Sequence, residues 1–422
     1  MTPMQRLDAV FDSPPAGPRE RLQAAWLASG LADARAPLPL HSMGEAPLVM
    51  SERLNAELGQ RLRGLCSWLQ ARVEAGAWVD DAQWPGITRP DVLAADLAVV
   101  QAPGAPGGWA LRWVEFQAFH SVTVTIQALH LAWQALHPGR LQGLQPHELP
   151  AGQASWHQAM HDWLAPLPGG VLLEHAPLAQ TTAFDLLPTA ALLGLTLAEP
   201  HQLRSEQGVL QRQVGDEWVD VPQVLNRLIL HEDPQGEATA RLLAQARAVR
   251  WRGHPAWFDR IHKGLLPQLP LPAEERCAPL AQWRALGRPA QALVLKSARS
   301  WGGTGVRLQV DAAELDALAA TVDAPQWIVQ PRYQAFPLAT ARDGAPLYGE
   351  LRCMLALPPD GPPWIAARLA RLSRGSMASA RSWSGLPGEG LAPVYAPPGS
   401  PRTFQADNRP PHAFKASCVP SE

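Results

Sequence analysis

The sequence predicts a mixed α/β protein of the α+β kind, and three observations predict it. Leu54, Leu58, Leu62, Leu65 and Leu69 recur at intervals of three and four, the stripe of a helix packed on a core. Residues 96–101 (DLAVVQ) and 109–119 (WALRWVEFQAF) flank a Pro/Gly-rich turn and read as a β-hairpin. Residues 170–206 read as strand, helix, strand, a Rossmann-like unit that lacks G-x-G-x-x-G.

The elements follow in order. Residues 1–18 are rich in Pro and Gly and predict a loosely held start. Residues 19–78 read as helices. After the hairpin, residues 121–136 turn Thr-rich and then Leu/Ala-rich, which predicts a helix. The Rossmann-like unit places strands at 171–174 and 197–200 and a helix at 182–195. Residues 207–220 predict a second hairpin around Gly215 and Asp216. Residues 221–230 predict a helix, with Asp220 at the N-cap and Pro222 in the first turn. A helix is expected at 313–321, a strand at 326–330, and a strand pair at 345–357 and 363–373. From Ala392 onward, Pro, Ser and polar residues predict a tail. No internal repeat is visible.

Composition narrows the function. The chain has 422 residues, enough for two or three domains, with 46% hydrophobic and 18% charged residues. A net charge of −2 signals no basic surface, which argues against nucleic acid and anionic membrane as partners. Cys66, Cys277, Cys353 and Cys418 are scattered, with no zinc knuckle and no C-x-x-C, as expected in a reducing compartment. No signal-peptide pattern and no bilayer-length apolar run is visible, so a soluble, cytoplasmic protein is expected. The oligomeric state is not legible.

The most informative stretch is 292–308, ALVLKSARSWGGTGVRL. An apolar run delivers Lys296 and is followed by Gly302, Gly303, Thr304 and Gly305, after which apolar–polar alternation resumes over 306–310. A Walker A loop places its lysine after the glycines, so this is a different device. A hairpin closing over a nucleotide would use the lysine as a point charge and the glycine N–H groups as phosphate donors. An ordinary hairpin with a surface lysine fits the same letters. Lys263, before Gly264, is a second cation that would bracket a triphosphate with Lys296, or else a second surface lysine.

The first hairpin holds the acids. The mean of positions 96 and 115 is 105.5, the middle of the turn segment, so Asp96 and Glu115 are expected opposite each other. Gln117 lies two residues on, on the same face. Opposed carboxylates repel unless a cation lies between them. Mg²⁺ would serve, with an amide oxygen from Gln117. A solvated strand face is the ordinary alternative. Further along, Glu350 and Arg352 share a strand face, and Arg368, Arg371 and Arg374 follow. An arginine aimed at a γ-phosphate stabilises charge as it develops, and Arg352 is the first choice for that place. A salt-bridged sheet surface is the usual fate of such arginines. Gln330 and Tyr333, in QPRY, end a strand where backbone groups could meet an adenine. There is no G-x-S-x-G elbow, and His157 and His161 lack the glutamate of a zinc-binding helix.

In their order along the chain these pieces resemble the ATP-grasp superfamily, in the circularly permuted branch similar to the glutathionylspermidine synthetase ATP-grasp domain. The resemblance covers roughly residues 88–395. It rests on WVEFQAF, VDVPQVLNRLILHE, HPAWFDRIHKGLLPQL, VLKSARSWGGTGV, WIVQPRY, GELRCML and AARLARLSRG. It implies an ATP-grasp fold with a Rossmann-like pre-ATP-grasp element, a glycine-loop lid and a helical N-terminal region. The implied divisions are 1–86, mostly helical; 87–135, the metal-binding hairpin and its helix; 136–250, the Rossmann-like substrate region; 251–330, the nucleotide lid; 331–395, the rest of the core; and 396–422, a tail. It further implies that Lys263 and Lys296 bind ATP phosphates, that Gly302, Gly303, Thr304 and Gly305 form the phosphate loop, and that Gln330 and Tyr333 lie near the adenine. Asp96, Glu115 and Gln117 would hold Mg²⁺, and Arg352 would face the γ-phosphate. The implied reaction activates a small-molecule carboxylate as an acylphosphate that an amine then attacks.

The chain departs from that pattern at several points, among them a long gap from Asp96 to Glu115, whose turn carries extra Pro and Gly. Gln117 stands where an asparagine is usual, Asp91 is an alternative acid to Asp96, and no amidase half is present. Two further readings fit the same residues: a nucleotide-binding protein without turnover, and a phosphotransferase.

Overall fold

The computed structural model describes residues 3–6, 18–78, 81, 83–300, 303–375 and 383–404. These build a mixed α+β fold around four sheets. The largest sheet has eight strands. Its path runs Met4–Arg6, Leu48–Met50, Gly390–Tyr395, Trp364–Ser373, Pro346–Ala356, Val92–Gln101, Trp109–Gln117, and Ala339–Thr340 pairs with Pro346–Ala356 off that path. Every pairing is antiparallel except that of Gly390–Tyr395 with Leu48–Met50.

Both faces of this sheet are covered, so its strands are apolar nearly throughout. The alternation along Val92–Gln101 sends Leu93, Ala95 and Leu97 into one core and Val92 and Ala94 into another. The first core contains Leu54, Leu58, Leu62, Leu65 and Leu69 of the helix Glu52–Glu74. Ser51 caps that helix by accepting the Leu54 N–H at 3.3 Å. The second core contains the helix Thr123–Leu136, with Met354, Ala367 and Leu369 from the sheet.

A four-stranded parallel sheet runs Arg250–Arg252, Gln223–Asn226, Val171–Leu173, Thr196–Ala198. Helix Ala183–Leu193 links its last two strands, as the sequence predicts. The helix expected at 221–230 is absent, and Gln223–Asn226 is a central strand with all four residues buried. Pairing on both edges and burial on both faces outweigh the local helix signals of Asp220 and Pro222. A small antiparallel sheet, Leu203–Glu206, Val209–Val214, Glu217–Asp220, follows and turns at Gly215, whose φ is 61°.

The fourth sheet runs Ala278–Pro279, Trp327–Pro331, Leu293–Ser297, Val306–Arg307. Leu280, Trp283, Leu293, Leu295, Leu315 and Val329 form its own core, with Leu315 supplied by the helix Ala312–Ala319. The strand expected over 306–310 stops at Arg307.

Among the described residues, two segments toward the chain ends are better anchored than their composition suggests. Met4–Arg6 is a strand, and Met4 is buried. Gly390–Tyr395 is a fully buried inner strand, although a tail was expected from Ala392. Leu391, Ala392, Val394 and Tyr395 bury enough apolar surface to hold it despite Pro393. Residues 405–422, including Cys418, lie outside the described residues, as do Trp301 and Gly302. Among the described residues, no helix is long and apolar enough to cross a membrane.

Candidate active site

The site begins at a bulge. Near the turn of the first hairpin, Gln101 pairs with Trp109 and Leu97 with Trp113, and beyond a register shift Asp96 pairs with Glu115. Val114 is the extra residue. An unbulged hairpin with the same turn would set Asp96 against Val114, so the bulge is what opposes the two acids.

The fourth sheet docks on that bulge. Leu293 and Leu295 point into its own core, so Lys296 lies on the opposite face. Gln330 lies on that face too, because it pairs with Val294. Lys296 Nζ donates to the Val114 carbonyl at 2.9 Å, and Gln330 Nε2 donates to the Trp113 carbonyl at 2.6 Å. Tyr333 is half-buried just beyond, and its hydroxyl has no protein partner.

Lys263 opens the 3₁₀ turn Lys263–Gln268 and is 3% exposed. Its Nζ donates to Glu115 Oε2 at 2.9 Å and to the Ser300 carbonyl. It thereby ties the acid strand to the segment entering the glycine loop. In that loop Gly303 and Gly305 have φ of 82° and 67°, where glycine is favoured. A Cβ on Gly305 would lie 2.7 Å from that of Ser297. Thr304 is exposed, and Gly302 lies outside the described residues.

Two arginines complete the cluster. Arg352 lies opposite Asp96 and Arg371 opposite Glu350 in the sheet register. Arg352 grips Asp96 with Nε and a terminal nitrogen at 2.7 and 2.6 Å. Arg371 donates to Asp96 at 2.6 Å and to Glu350 at 2.5 Å. Arg352 also lies 3.9 Å from Glu115. Three carboxylates therefore meet four cations on one face of the central sheet, beneath the glycine hairpin.

Their electrostatics follow from burial and from one another. Burial pushes Asp96 up, but Arg352 and Arg371 outweigh it and hold the carboxyl at about 2. Burial raises Glu350, against the pull of Arg371 and with help from Asp96 and Glu115. Burial lowers Lys296, opposed by Glu115 and Glu350.

Other candidates are placed elsewhere. Arg368 is on the opposite face, 1% exposed and bound to Glu148. Arg374 binds Asp343 at 2.7 Å near the surface. Asp91 lies apart from the cluster, its two oxygens accepting the Gly253 N–H at 3.0 and 2.9 Å. Arg371 and Glu350 are cluster members that were not chosen from the sequence. The i, i+2 spacing of Glu350 and Arg352 is a visible signal for Glu350. The choice of Arg371 over Arg368 depends on a register shift between strands Pro346–Ala356 and Trp364–Ser373.

The donor set bears on Mg²⁺. Both oxygens of Asp96 are engaged by guanidinium groups, so as arranged Asp96 orders the arginines and is not free to ligate an ion. Among the described residues, no group of three or more His, Cys, Asp and Glu is placed to hold a metal. Glu115, one of whose oxygens accepts from Lys263, and Gln117 still offer hard oxygen on one strand face. Mg²⁺ is commonly held by one or two protein ligands together with phosphates and water, so these two residues fit it.

Fold and site together describe an α+β protein whose lysine-bearing hairpin sheet is docked on a bulged, charged strand pair. No family model matches the chain, and no curated protein matches it. Among solved structures, it is similar to a glutathione synthetase-like effector from Globodera pallida in its apo form. The match covers 92% of this chain and 98% of the other, at 10% identity and a TM-score of 0.47.

Proposed function

We propose that this protein is an ATP- and Mg²⁺-dependent carboxylate–amine ligase of the ATP-grasp kind that acts through an acylphosphate. One observation carries the reading: Lys263, Lys296, Arg352 and Arg371 meet three carboxylates beneath a glycine hairpin. The surplus of positive charge suits a polyphosphate. In this reading Lys263 and Lys296 bind the phosphates, the loop Gly302, Gly303, Thr304 and Gly305 excludes water, and the adenine lies along Gln330 and Tyr333. Glu115 and Gln117 would hold Mg²⁺, which when bound neutralises charge between the β- and γ-phosphates. Arg352 spreads the charge that develops on the transferred group. A substrate carboxylate attacks the γ-phosphorus in line and ADP leaves. An amine then attacks the acyl carbon and phosphate leaves. An amino acid, a peptide or a polyamine would supply that amine.

The test is phosphate release from ATP that depends on adding both a carboxylate and an amine from panels of amino acids, short peptides and polyamines. A second reading, a nucleotide-binding protein without turnover, is favoured by one observation, the engagement of Asp96 by two arginines. ATP binding without phosphate release on any mixture would support it.

A further inference from the structure

The helix Trp156–Leu164 carries two histidines that the charged cluster does not use. Its apolar face sends Trp156, Ala159, Met160, Trp163 and Leu164 into the core. Two indoles fix its rotation. Trp156 Nε1 donates to the Ala366 carbonyl at 2.9 Å, and Trp163 Nε1 donates to the Asp91 carbonyl at 3.1 Å. Both ends are held as well. Ser155 accepts the Gln158 N–H at 3.2 Å, and Arg252 Nε donates to the Leu164 carbonyl at 3.0 Å. His157 and His161 are thereby set on the outward side, where both are exposed.

A surface cavity of about 240 Å³ opens there, lined by Ser155, His157, Gln158, His161, Leu192 and Leu193. The two leucines come from the last turn of the helix Ala183–Leu193. At about 30 Å³ for each water, the space holds a cation together with several waters. Residues four apart on a helix have Cβ atoms about 6 Å apart on one face, the span over which two imidazoles close on one ion. Both imidazoles line this one cavity, so they share the space between them. The Trp156 ring meets the His157 ring edge-on, with centroids 5.5 Å apart, and limits its swing. Among the described residues, neither imidazole is engaged in a hydrogen bond. The neighbouring Asp162 carboxylate is already taken, its oxygens accepting from Gln153 and Gln158, each at 2.6 Å. The imidazoles are therefore the strongest donors at the cavity.

We propose that His157 and His161 together hold one Zn²⁺ ion, or another divalent cation that favours imidazole, in this cavity. Imidazole suits Zn²⁺, Cu²⁺ and Ni²⁺, whereas Mg²⁺ and Ca²⁺ take oxygen. Zn²⁺ is commonly four-coordinate, and the pair fills two positions. Among the described residues, no third His, Cys, Asp or Glu joins them, so water or a small external ligand completes the shell. A helix locked by two indoles spares the ion much of the cost of ordering its ligands. The site shares no residue with the charged cluster and does not rest on the ligase reading.

The test is titration calorimetry of the full chain with ZnCl₂, run alone and in an excess of MgCl₂. The expected result is uptake of about one equivalent of Zn²⁺ that Mg²⁺ does not displace. Loss of even an outer partner of a ligand costs about 10–100-fold in affinity, so His157→Ala and His161→Ala should each weaken Zn²⁺ about tenfold or more. Both side chains are exposed, so the metal-free variants should melt where the parent does. Should an alanine variant not fold, glutamine at the same position keeps the bulk and decides. A parent that takes up no Zn²⁺ overturns the proposal, as does displacement by Mg²⁺. Binding that either folded variant retains in full also overturns it, because the ion then lies elsewhere or on one imidazole alone.

Discussion

Asp96 and Arg352 face each other across neighbouring strands and meet through two hydrogen bonds, 2.7 and 2.6 Å long. Asp96 is 1% exposed and Arg352 is 8% exposed. A buried fork of this kind is rigid as well as attractive, and it fixes where the rest of the guanidinium points. Arg371 adds a third donor to the same acid. Asp96 therefore organises two arginines at once.

Removing that acid should be costly. Asp96→Asn leaves Arg352 and Arg371 buried with an incomplete partner and should destabilise the fold by about 3–5 kcal/mol. Urea unfolding measures this. An unchanged midpoint would mean that the ion pairs contribute nothing.

The acids also predict two pH effects of opposite sign. Asp96 is held at about 2 against its ordinary 3.8, so its contribution is complete above 3.8 and is lost as pH falls through about 2. Burial raises Glu174 from 4.5 to about 7, so the folded state binds the extra proton in that window. Stability from Glu174 therefore falls as pH rises from 4.5 to about 7. Glu174→Gln should flatten that decline, and unfolding midpoints taken across the window report it. A slope that is the same in the variant excludes Glu174 as its source.

Turnover should depend on the two groups that meet at the bulge. Under the proposed ligase reading, Lys296→Ala and Glu115→Gln should each lower the rate of amine-dependent phosphate release by about 100-fold or more. Both variants should keep secondary structure by circular dichroism. Full activity in both would show that the cluster is not the reaction centre.

Gly253 is set by close approach. Its φ is 63°, and a Cβ there would lie 2.7 Å from His120 Cδ2. Gly253→Ala should cost about 1–3 kcal/mol and displace His120, read as a lower melting temperature. A variant as stable as the parent would show that the backbone tolerates the shift.

The helix Glu52–Glu74 offers a calibration remote from the chemistry. Ser51→Ala removes the cap and should cost about 1 kcal/mol. Leu62→Ala, at a fully buried position, should cost about 2–5 kcal/mol. Denaturant titration of both variants tests whether this face carries ordinary core energetics.

Periodicity made much of this legible. The leucine stripe, the first hairpin, the helix Ala183–Leu193 and the pair Pro346–Ala356 and Trp364–Ser373 all declare themselves in local patterns of two or of three to four residues. Lys263 and Lys296 were visible beside glycines. The strand Gln223–Asn226 was not visible, because its neighbours Val171–Leu173 and Arg250–Arg252 are distant in sequence and supply what makes it a strand. Gly390–Tyr395 was hidden for the same reason, with Leu48–Met50 and Trp364–Ser373 as its partners.

By itself, then, the sequence determined which residue types were available: two lysines at glycines, acids on a hairpin, arginines on late strands. Tertiary structure decided which of them meet. The bulge at Val114 turned Glu115 toward Asp96, strand register chose Arg371 and sent Arg368 to the other face, and Gly253 engaged Asp91 away from the cluster. The reason is that side-chain direction in a sheet reverses with every single-residue slip, and such slips are set by pairing between distant segments.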